Sequence, residues 1–213
     1  VQDTAPSSVM REDEEEEWVF GHPQAPLTLV VFSNVFCPAC AQLDKELRTN
    51  IAGGLPIKLI VRLVGPPVPE GIGETFTGES EKGPIGFSLF LYAIGASLGP
   101  EAFHNALGLV YSRQNDFISK SVGALREELR IPVDSVKEGR EAGIERYSVE
   151  DQIANKVSVD KTPILYLNGR LLPDWVRVPE ILGLAQFMFQ QKQTCTAGNQ
   201  ENLMFIIFRY NGS

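Results

Sequence analysis

The sequence predicts an α/β fold in which an all-helical segment interrupts a sheet, and three observations predict it. Two nearly unbroken apolar runs, Leu27-Thr28-Leu29-Val30-Val31-Phe32 and Ile57-Lys58-Leu59-Ile60-Val61-Arg62-Leu63-Val64, bracket a helical stretch. From 87 to about 157 every apolar pattern has the helical period. Beyond that block, Pro163-Ile164-Leu165-Tyr166-Leu167 and Arg170-Leu171-Leu172 flank Asn168-Gly169, a strong two-residue hairpin signal, and Pro179 opens a last helix to about Gln191.

The elements follow in order. Residues 1–17 end in Glu12-Asp13-Glu14-Glu15-Glu16-Glu17, and like charges repel, so this segment reads as a solvated, flexible leader. Trp18-Val19-Phe20 is a short edge-strand candidate, followed by a turn with two prolines, Gly21-His22-Pro23-Gln24-Ala25-Pro26. The run 27–32 has the composition of a strand buried on both faces. Pro38 suits the first helical position, where a missing N–H costs nothing. Ala39 to Leu47 then places Cys40, Leu43 and Leu47 on one face and Gln42, Lys45 and Glu46 on the other. Gly53-Gly54 ends that helix, and 57–64 is the second, parallel strand of a βαβ unit.

The expected organisation is therefore 18–64 as one half of the sheet unit, a Gly/Pro-rich loop at 65–86, and a helical insertion at 87–157. Residues 158–192 form the other half, and 193–213 are a tail of unassigned role. Within the insertion the expected helices are Phe87 to Leu98, Glu101 to Tyr111, Phe117 to Leu129, Val133 to Gly143 and Val149 to Val157. Breaks fall at Gly99-Pro100, Asn115 and Ile131-Pro132.

Composition narrows the function. The 213 residues suit one domain with an insertion, and 43% apolar content suffices for a core. A net charge of −8 argues against nucleic acid or an anionic membrane as partner. No apolar run approaches the roughly 18–20 residues that span a bilayer, and the first residues lack the pattern of a signal peptide. The three cysteines, Cys37, Cys40 and Cys195, are too few for a disulfide-stapled mini-protein. A structural zinc site wants four ligands, and His22 and His104 show no paired ligand spacing, so no metal is expected.

What remains is redox chemistry at Cys37-Pro38-Ala39-Cys40. A strand feeding a helix at this motif puts Cys37 where unpaired backbone N–H groups and the helix dipole favour an anion. The thiolate is the nucleophile, so Cys37 is the expected attacking residue. Cys40, one turn on and facing inward, is the expected resolving residue. A helix N-terminus contributes about 0.3–1 kcal/mol, up to about 2 in good geometry. At about 1.36 kcal/mol per pKa unit, that takes a thiol from about 8.5 to roughly 7–8. The expectation is an intermediate redox poise.

Three segments carry a family resemblance: Gly21-His22-Pro23-Gln24-Ala25-Pro26, Phe32-Ser33-Asn34-Val35-Phe36-Cys37-Pro38-Ala39-Cys40, and Lys161-Thr162-Pro163-Ile164-Leu165-Tyr166-Leu167-Asn168-Gly169-Arg170. With them, residues 18–191 resemble the DsbA-like branch of the thioredoxin superfamily. The resemblance implies a thioredoxin-like fold with an all-helical insertion between the βαβ unit and the β-hairpin and C-terminal helix. It implies that Pro163 is a cis-proline facing the dithiol and that Thr162 offers its backbone to a bound peptide. Pro38 and Ala39 would tune the dithiol. The implied activity is protein disulfide exchange with thiol- or disulfide-containing exported proteins, in the oxidase direction. A reductase or isomerase, or a non-catalytic peptide-binding or chaperone-like protein, are the alternatives. No cofactor is implied beyond the redox-active disulfide Cys37–Cys40. A membrane redox partner would reset the dithiol. The implied location is extracytoplasmic, periplasmic or tethered facing outside, with any signal or anchor outside this stretch.

Two departures from that family pattern stand out. Its members often carry a carboxylate six residues before the first cysteine, where this chain has Val31, and no histidine lies between the cysteines. Valine cannot relay the proton of Cys40, so resolution is expected to be slow near neutrality unless water or Lys58 supplies the relay. Other residues have plainer expectations. Cys195 reads as a free thiol, His22 as a solvated loop residue, and His104 as a helix-surface or half-buried histidine. Tyr166 and Trp175 read as packing residues. The apolar stretch Leu203-Met204-Phe205-Ile206-Ile207-Phe208 is too short to span a membrane, has an added edge strand, within one chain or between two, as one reading, and is left out of the fold assignment.

Overall fold

The computed structural model describes residues 9–10, 17–173 and 178–194. Trp175, Cys195, the stretch 203–208 and the acidic residues 12–16 lie outside the described residues.

A five-stranded sheet of order β1-β3-β2-β4-β5 forms the frame. β2 (Leu27–Ser33) runs parallel to β3 (Ile57–Leu63), with Val31 opposite Val61. β1 (Val19–Gly21) lies antiparallel on the outer side of β3. β4 (Ile164–Leu167) lies antiparallel on the other side of β2 and turns at Asn168-Gly169 into β5 (Arg170–Leu171). Successive residues of a strand face opposite sides. Leu29 and Val31 accordingly enter the larger core with α1 (Pro38–Ala52), while Val30 and Phe32 enter a second core with Ile60, Val64 and Tyr166. Burial on both faces explains the unbroken apolar run.

Pro38 opens α1, and Cys40, Leu43, Leu47 and Ile51 are buried at helical spacing. The helix continues to Ala52, one turn beyond the expected Leu47, and stops at Gly53-Gly54. A buried aspartate, Asp44, shares its inward face.

The helical insertion comprises α2 (Ile72–Thr75), α3 (Gly83–Leu98), α4 (Pro100–Ser112), α5 (Gln114–Phe117), α6 (Val122–Glu128) and α7 (Val133–Lys156). Two expectations are corrected here. The helix expected from Phe117 to Leu129 is α6 (Val122–Glu128) alone, set off by a turn from α5, which ends at Phe117, and α7 is one helix where two were expected. Gly143 reads as a helix end in the sequence, but in the structure it is a packing residue. A Cβ on Gly143 would lie 2.6 Å from the Ala93 nitrogen, and one on Gly139 would lie 1.9 Å from the Ala93 oxygen. The two glycines thus let α7 approach the α3 backbone more closely than any side chain permits.

The segment 65–86 is held down more than its Gly/Pro content suggests. Phe76 is buried, and the Glu81 carboxylate accepts from the N–H groups of Thr77 and Glu79. Arg126 pairs with Glu79 at 2.9 Å, and the Val122 N–H donates to the Glu81 carbonyl at 2.8 Å, which fastens the segment to α6. α8 (Val178–Thr194) closes the domain and buries Ile181 and Ala185.

Two further expectations change, and the open question of Lys58 is answered. Glu17 is not part of a solvated charge run. It is buried beside Arg62, which has no exposed surface and also pairs with Glu150 of α7. Arg62 further donates to the Val9 carbonyl at 3.0 Å, so this one cation joins the leading segment, β3 and α7. His104 is fully buried rather than at the surface, with Nε2 3.1 Å from the Trp18 carbonyl. Burial and then the positive charge of Arg48 push its pKa down to about 3. Lys58 lies opposite Thr28, three residues down the sheet from the Val31–Val61 pair. At about 3.3 Å per residue that is about 10 Å from Val31, which walls the cavity beneath Cys40, too far for a direct relay.

Candidate active site

The loop from β2 to α1 is fixed before any thiol is considered. Asn34 Oδ1 accepts from the Phe36 N–H at 3.0 Å, its carbonyl accepts from the Cys37 N–H at 3.1 Å, and its Nδ2 donates to the Val64 carbonyl at 3.2 Å. From α5, Gln114 Nε2 donates to the carbonyls of Val35 (2.9 Å) and Cys37 (3.1 Å). Phe36 packs edge-on against Phe87 at 5.1 Å, and Phe87 against Phe117 at 6.1 Å. The insertion therefore grips the loop with one amide and one aromatic string.

Cys37 is the N-cap of α1, and its sulfur accepts the Cys40 N–H at 3.4 Å. The Thr162–Pro163 bond, which is cis, faces it, with Cys37 Sγ 3.5 Å from the Thr162 carbonyl. Burial alone raises the pKa of this half-buried thiol. Hydrogen bonds from the Cys40 thiol, Thr162 and the N–H groups of Cys40 and Ala39 outweigh it, and the net shift is downward. Pro38 and Ala39 stay exposed beside it.

Cys40 is the opposite case. It is 2% exposed, and burial followed by its hydrogen bond to Cys37 pushes its pKa up to about 11. A hydrogen bond with Ser33 opposes that shift. Both cysteines are free thiols. One helical turn thus separates a thiol biased toward the anion from a thiol held neutral.

Beneath Cys40 lies a small cavity of about 10 Å³, walled by Val31, Ser33, Asp44 and Tyr111 among others. Val31 is where the sequence placed it, beside the buried thiol. Ser33 Oγ and the Tyr111 hydroxyl share a hydrogen bond. Asp44 Oδ2 accepts from Arg48 Nε at 2.6 Å. Burial raises the Asp44 pKa against the opposing charge and hydrogen bond of Arg48. On the outer side an open groove of about 980 Å³ runs past Ala39, Gln42, Thr162, Pro163 and Leu171.

Sequence reasoning missed Asn34, Gln114, Ser33, Tyr111 and Asp44. Only Asp44 carried a local signal, being four residues after Cys40 and so one turn along the same helix face. Among the described residues no group of three or more His, Cys, Asp or Glu side chains could hold a metal ion.

A strand that delivers a dithiol to a helix N-terminus, opposite a cis-proline and beneath a helical insertion, defines a thioredoxin-fold dithiol protein. The family model described as Thioredoxin matches residues 13–182, and the chain belongs to the thioredoxin family. Its fold is also that of several solved structures. The oxidised form of BdbD from Bacillus subtilis is 17% identical over 85% of this chain and 97% of that one, with a TM-score of 0.59. The catalytic domain of Proteus mirabilis ScsC is 14% identical over 86% and 94%, TM-score 0.60. The thiol-disulfide exchange protein alpha-DsbA2 from Wolbachia pipientis is 14% identical over 81% and 87%, TM-score 0.60. Comparison with curated protein sequences finds no match.

Proposed function

We propose that this protein is a thiol–disulfide oxidoreductase that exchanges disulfides with exported proteins through Cys37 and Cys40, running as an oxidase. The observation that carries this reading is the asymmetry of the dithiol: a lowered, partly exposed Cys37 at a helix N-cap above a raised, buried Cys40. A stabilised Cys37 thiolate favours the reduced form of the pair, and a pair whose reduced form is favoured is an oxidant. A substrate thiolate attacks the Cys37 sulfur of the Cys37–Cys40 disulfide, and Cys40 leaves. A second substrate thiol then attacks the mixed disulfide, releasing an oxidised substrate and the dithiol. Thr162 and Pro163 line the groove beside Cys37 and hold the substrate backbone there.

Turnover consumes the Cys37–Cys40 disulfide, so an oxidase needs an electron acceptor, and a membrane redox protein is the proposed one. The compartment that supports this chemistry is oxidising and extracytoplasmic. Among the described residues no helix is long and apolar enough to cross a membrane. The redox-active group of this exchange is the Cys37–Cys40 disulfide itself, and no metal or organic cofactor is proposed for it.

Titration of the dithiol in glutathione buffers tests the direction. A potential near about −120 mV supports the oxidase, and one near about −270 mV makes the protein a reductase. Trapping tests the roles: the Cys37 thiolate of Cys40→Ala is expected to attack disulfide-bonded substrate proteins and accumulate mixed disulfides, each freeing one substrate thiol, and Cys37→Ala to accumulate none. Equal trapping by both variants refutes the assignment of attacker and resolver. Absence of any disulfide exchange in the wild type refutes the function itself.

A further inference from the structure

We propose that Asp44 is the proton acceptor and donor of Cys40, reached through the small cavity beneath the dithiol that both residues wall. The inference rests on the oxidoreductase reading above and adds a residue to it. Cys40 changes protonation in each half-reaction. When it attacks the Cys37–S–S–R mixed disulfide, the S–H proton leaves, the Cys37–Cys40 bond forms, the Cys37–R bond breaks, and the R-thiolate departs. In the oxidising direction the same bonds exchange in reverse, and Cys40 leaves as a thiolate that must regain a proton. A buried thiol needs a partner for that proton.

The cavity walls leave one choice. Val31, Leu43, Leu47, Leu59 and Val61 are apolar. From β2 comes Ser33 and from α4 comes Tyr111, joined to each other by a hydrogen bond. Both are hydroxyls, and burial holds the Tyr111 hydroxyl well above its ordinary value, so neither retains a proton taken from a thiol. They can only pass one on. From α1 comes Asp44, the single carboxylate among the described residues on that cavity. Its side chain is 7% exposed. Oδ2 is held by Arg48, while Oδ1 is buried with no hydrogen-bond partner among the described residues.

Geometry closes the path. Residues four apart on a helix have Cβ atoms about 5–6 Å apart, which one water bridges. A cavity of about 10 Å³ is about the size that admits one. Ser33 hydrogen-bonds both Cys40 and Tyr111, and Tyr111 and Asp44 wall the same cavity, so only the step to Asp44 Oδ1 is left for a bridging water. The charges around Asp44 are Arg48 on its own helix and, beyond Arg48, the buried neutral His104 of α4. Arg48 is itself seated over the Phe20 ring of β1 at 4.5 Å to the centroid. Burial lifts the carboxyl toward the thiol in proton affinity, and Arg48 limits the lift.

The test is stopped-flow resolution of a Cys37–thionitrobenzoate mixed disulfide from pH 5 to 9, read by release of the coloured thiolate. Wild type is expected to gain rate as Asp44 ionises and then level off. Asp44→Asn is expected to be about 10²-fold slower at pH 7 and to keep rising with pH as Cys40 ionises unaided. Arg48→Met, which removes the cation but keeps the carboxylate, is expected to move the wild-type midpoint upward by half a pH unit or more. A far-UV spectrum and a urea midpoint establish that each variant folds. Should Asp44→Asn not fold, the Arg48→Met shift decides alone. An Asp44→Asn profile of wild-type shape, or an unmoved midpoint in Arg48→Met, overturns the inference. Wild-type protein that cannot release the thiolate at any pH overturns the oxidoreductase reading instead.

Discussion

Arg62 offers the sharpest test of how the domain is held together. It is wholly buried, pairs with Glu17 and Glu150, and donates to the Val9 carbonyl. Arg62→Met keeps most of the side-chain volume and removes the charge, leaving two buried carboxylates. Breaking a buried ion pair by deleting one partner destabilises by about 3–5 kcal/mol. Glu150 keeps a second cation, since Arg146 Nε is 3.6 Å from it, so the expected loss lies toward the lower end of that range. With a urea slope of about 2 kcal/mol per M, a 3 kcal/mol loss lowers the denaturation midpoint by about 1.5 M. The deficit is measured by urea denaturation at pH 7 followed by far-UV circular dichroism. A deficit below about 1 kcal/mol refutes this account.

Three other predictions follow from separate parts of the structure. The alkylation rate of Cys37 with iodoacetamide is expected to show a midpoint below that of an ordinary thiol, about 8.5, while Cys40 stays unreactive in the native protein to about pH 10; a Cys37 midpoint at or above 8.5 contradicts the N-cap hydrogen bonding. His104, buried and pushed down to about 3, is expected to remain neutral in the folded protein at pH 5, so stability is full above the unfolded value of about 6.5 and declines as pH falls below it; an imidazole titration near 6.5 by NMR overturns this. Gly143→Ala gains about 1 kcal/mol of helix propensity but drives a methyl toward the Ala93 backbone, where overpacking costs about 1–3 kcal/mol, so a lower Tm is expected and an unchanged or higher one refutes the close α3–α7 contact.

How much was legible in the sequence depends on whether a signal is local. The strand at 27–33, the helix opening at Pro38 and the Asn168-Gly169 turn each follow from a few adjacent residues, and each stands where the pattern put it. Glu17 failed because a run of like charges reads as solvated, yet one member of it meets an arginine 45 positions away. The break expected in α7 failed for a related reason. Gly143 lowers helix propensity locally, but its role is decided by Ala93 on another helix, and tertiary packing outweighs a cost of about 1 kcal/mol. The distance of Lys58 from the dithiol was left open because strand register is set by pairing and cannot be read from one strand alone.

The same distinction divides the two cysteines. Cys37 draws most of its character from its own turn of chain: the Cys40 and Ala39 N–H groups and the Cys40 thiol all lie within three residues, and only Thr162 comes from afar. Its role was therefore legible from Cys-x-x-Cys after a strand. The surroundings of Cys40 are assembled from β2, α1 and α4, with Ser33, Asp44 and Tyr111 meeting across 78 positions of sequence. No short motif encodes that meeting, and the apolar Val31 pointed away from it. This has a kinetic consequence. Changes at Pro38 or Ala39 act on the donors to the Cys37 thiolate and so move the reduction potential. Changes at Ser33, Asp44 or Tyr111 leave those donors in place and act on the proton that Cys40 gives up or regains. The first set is expected to alter the equilibrium with glutathione. The second is expected to alter how fast, and at what pH, that equilibrium is reached.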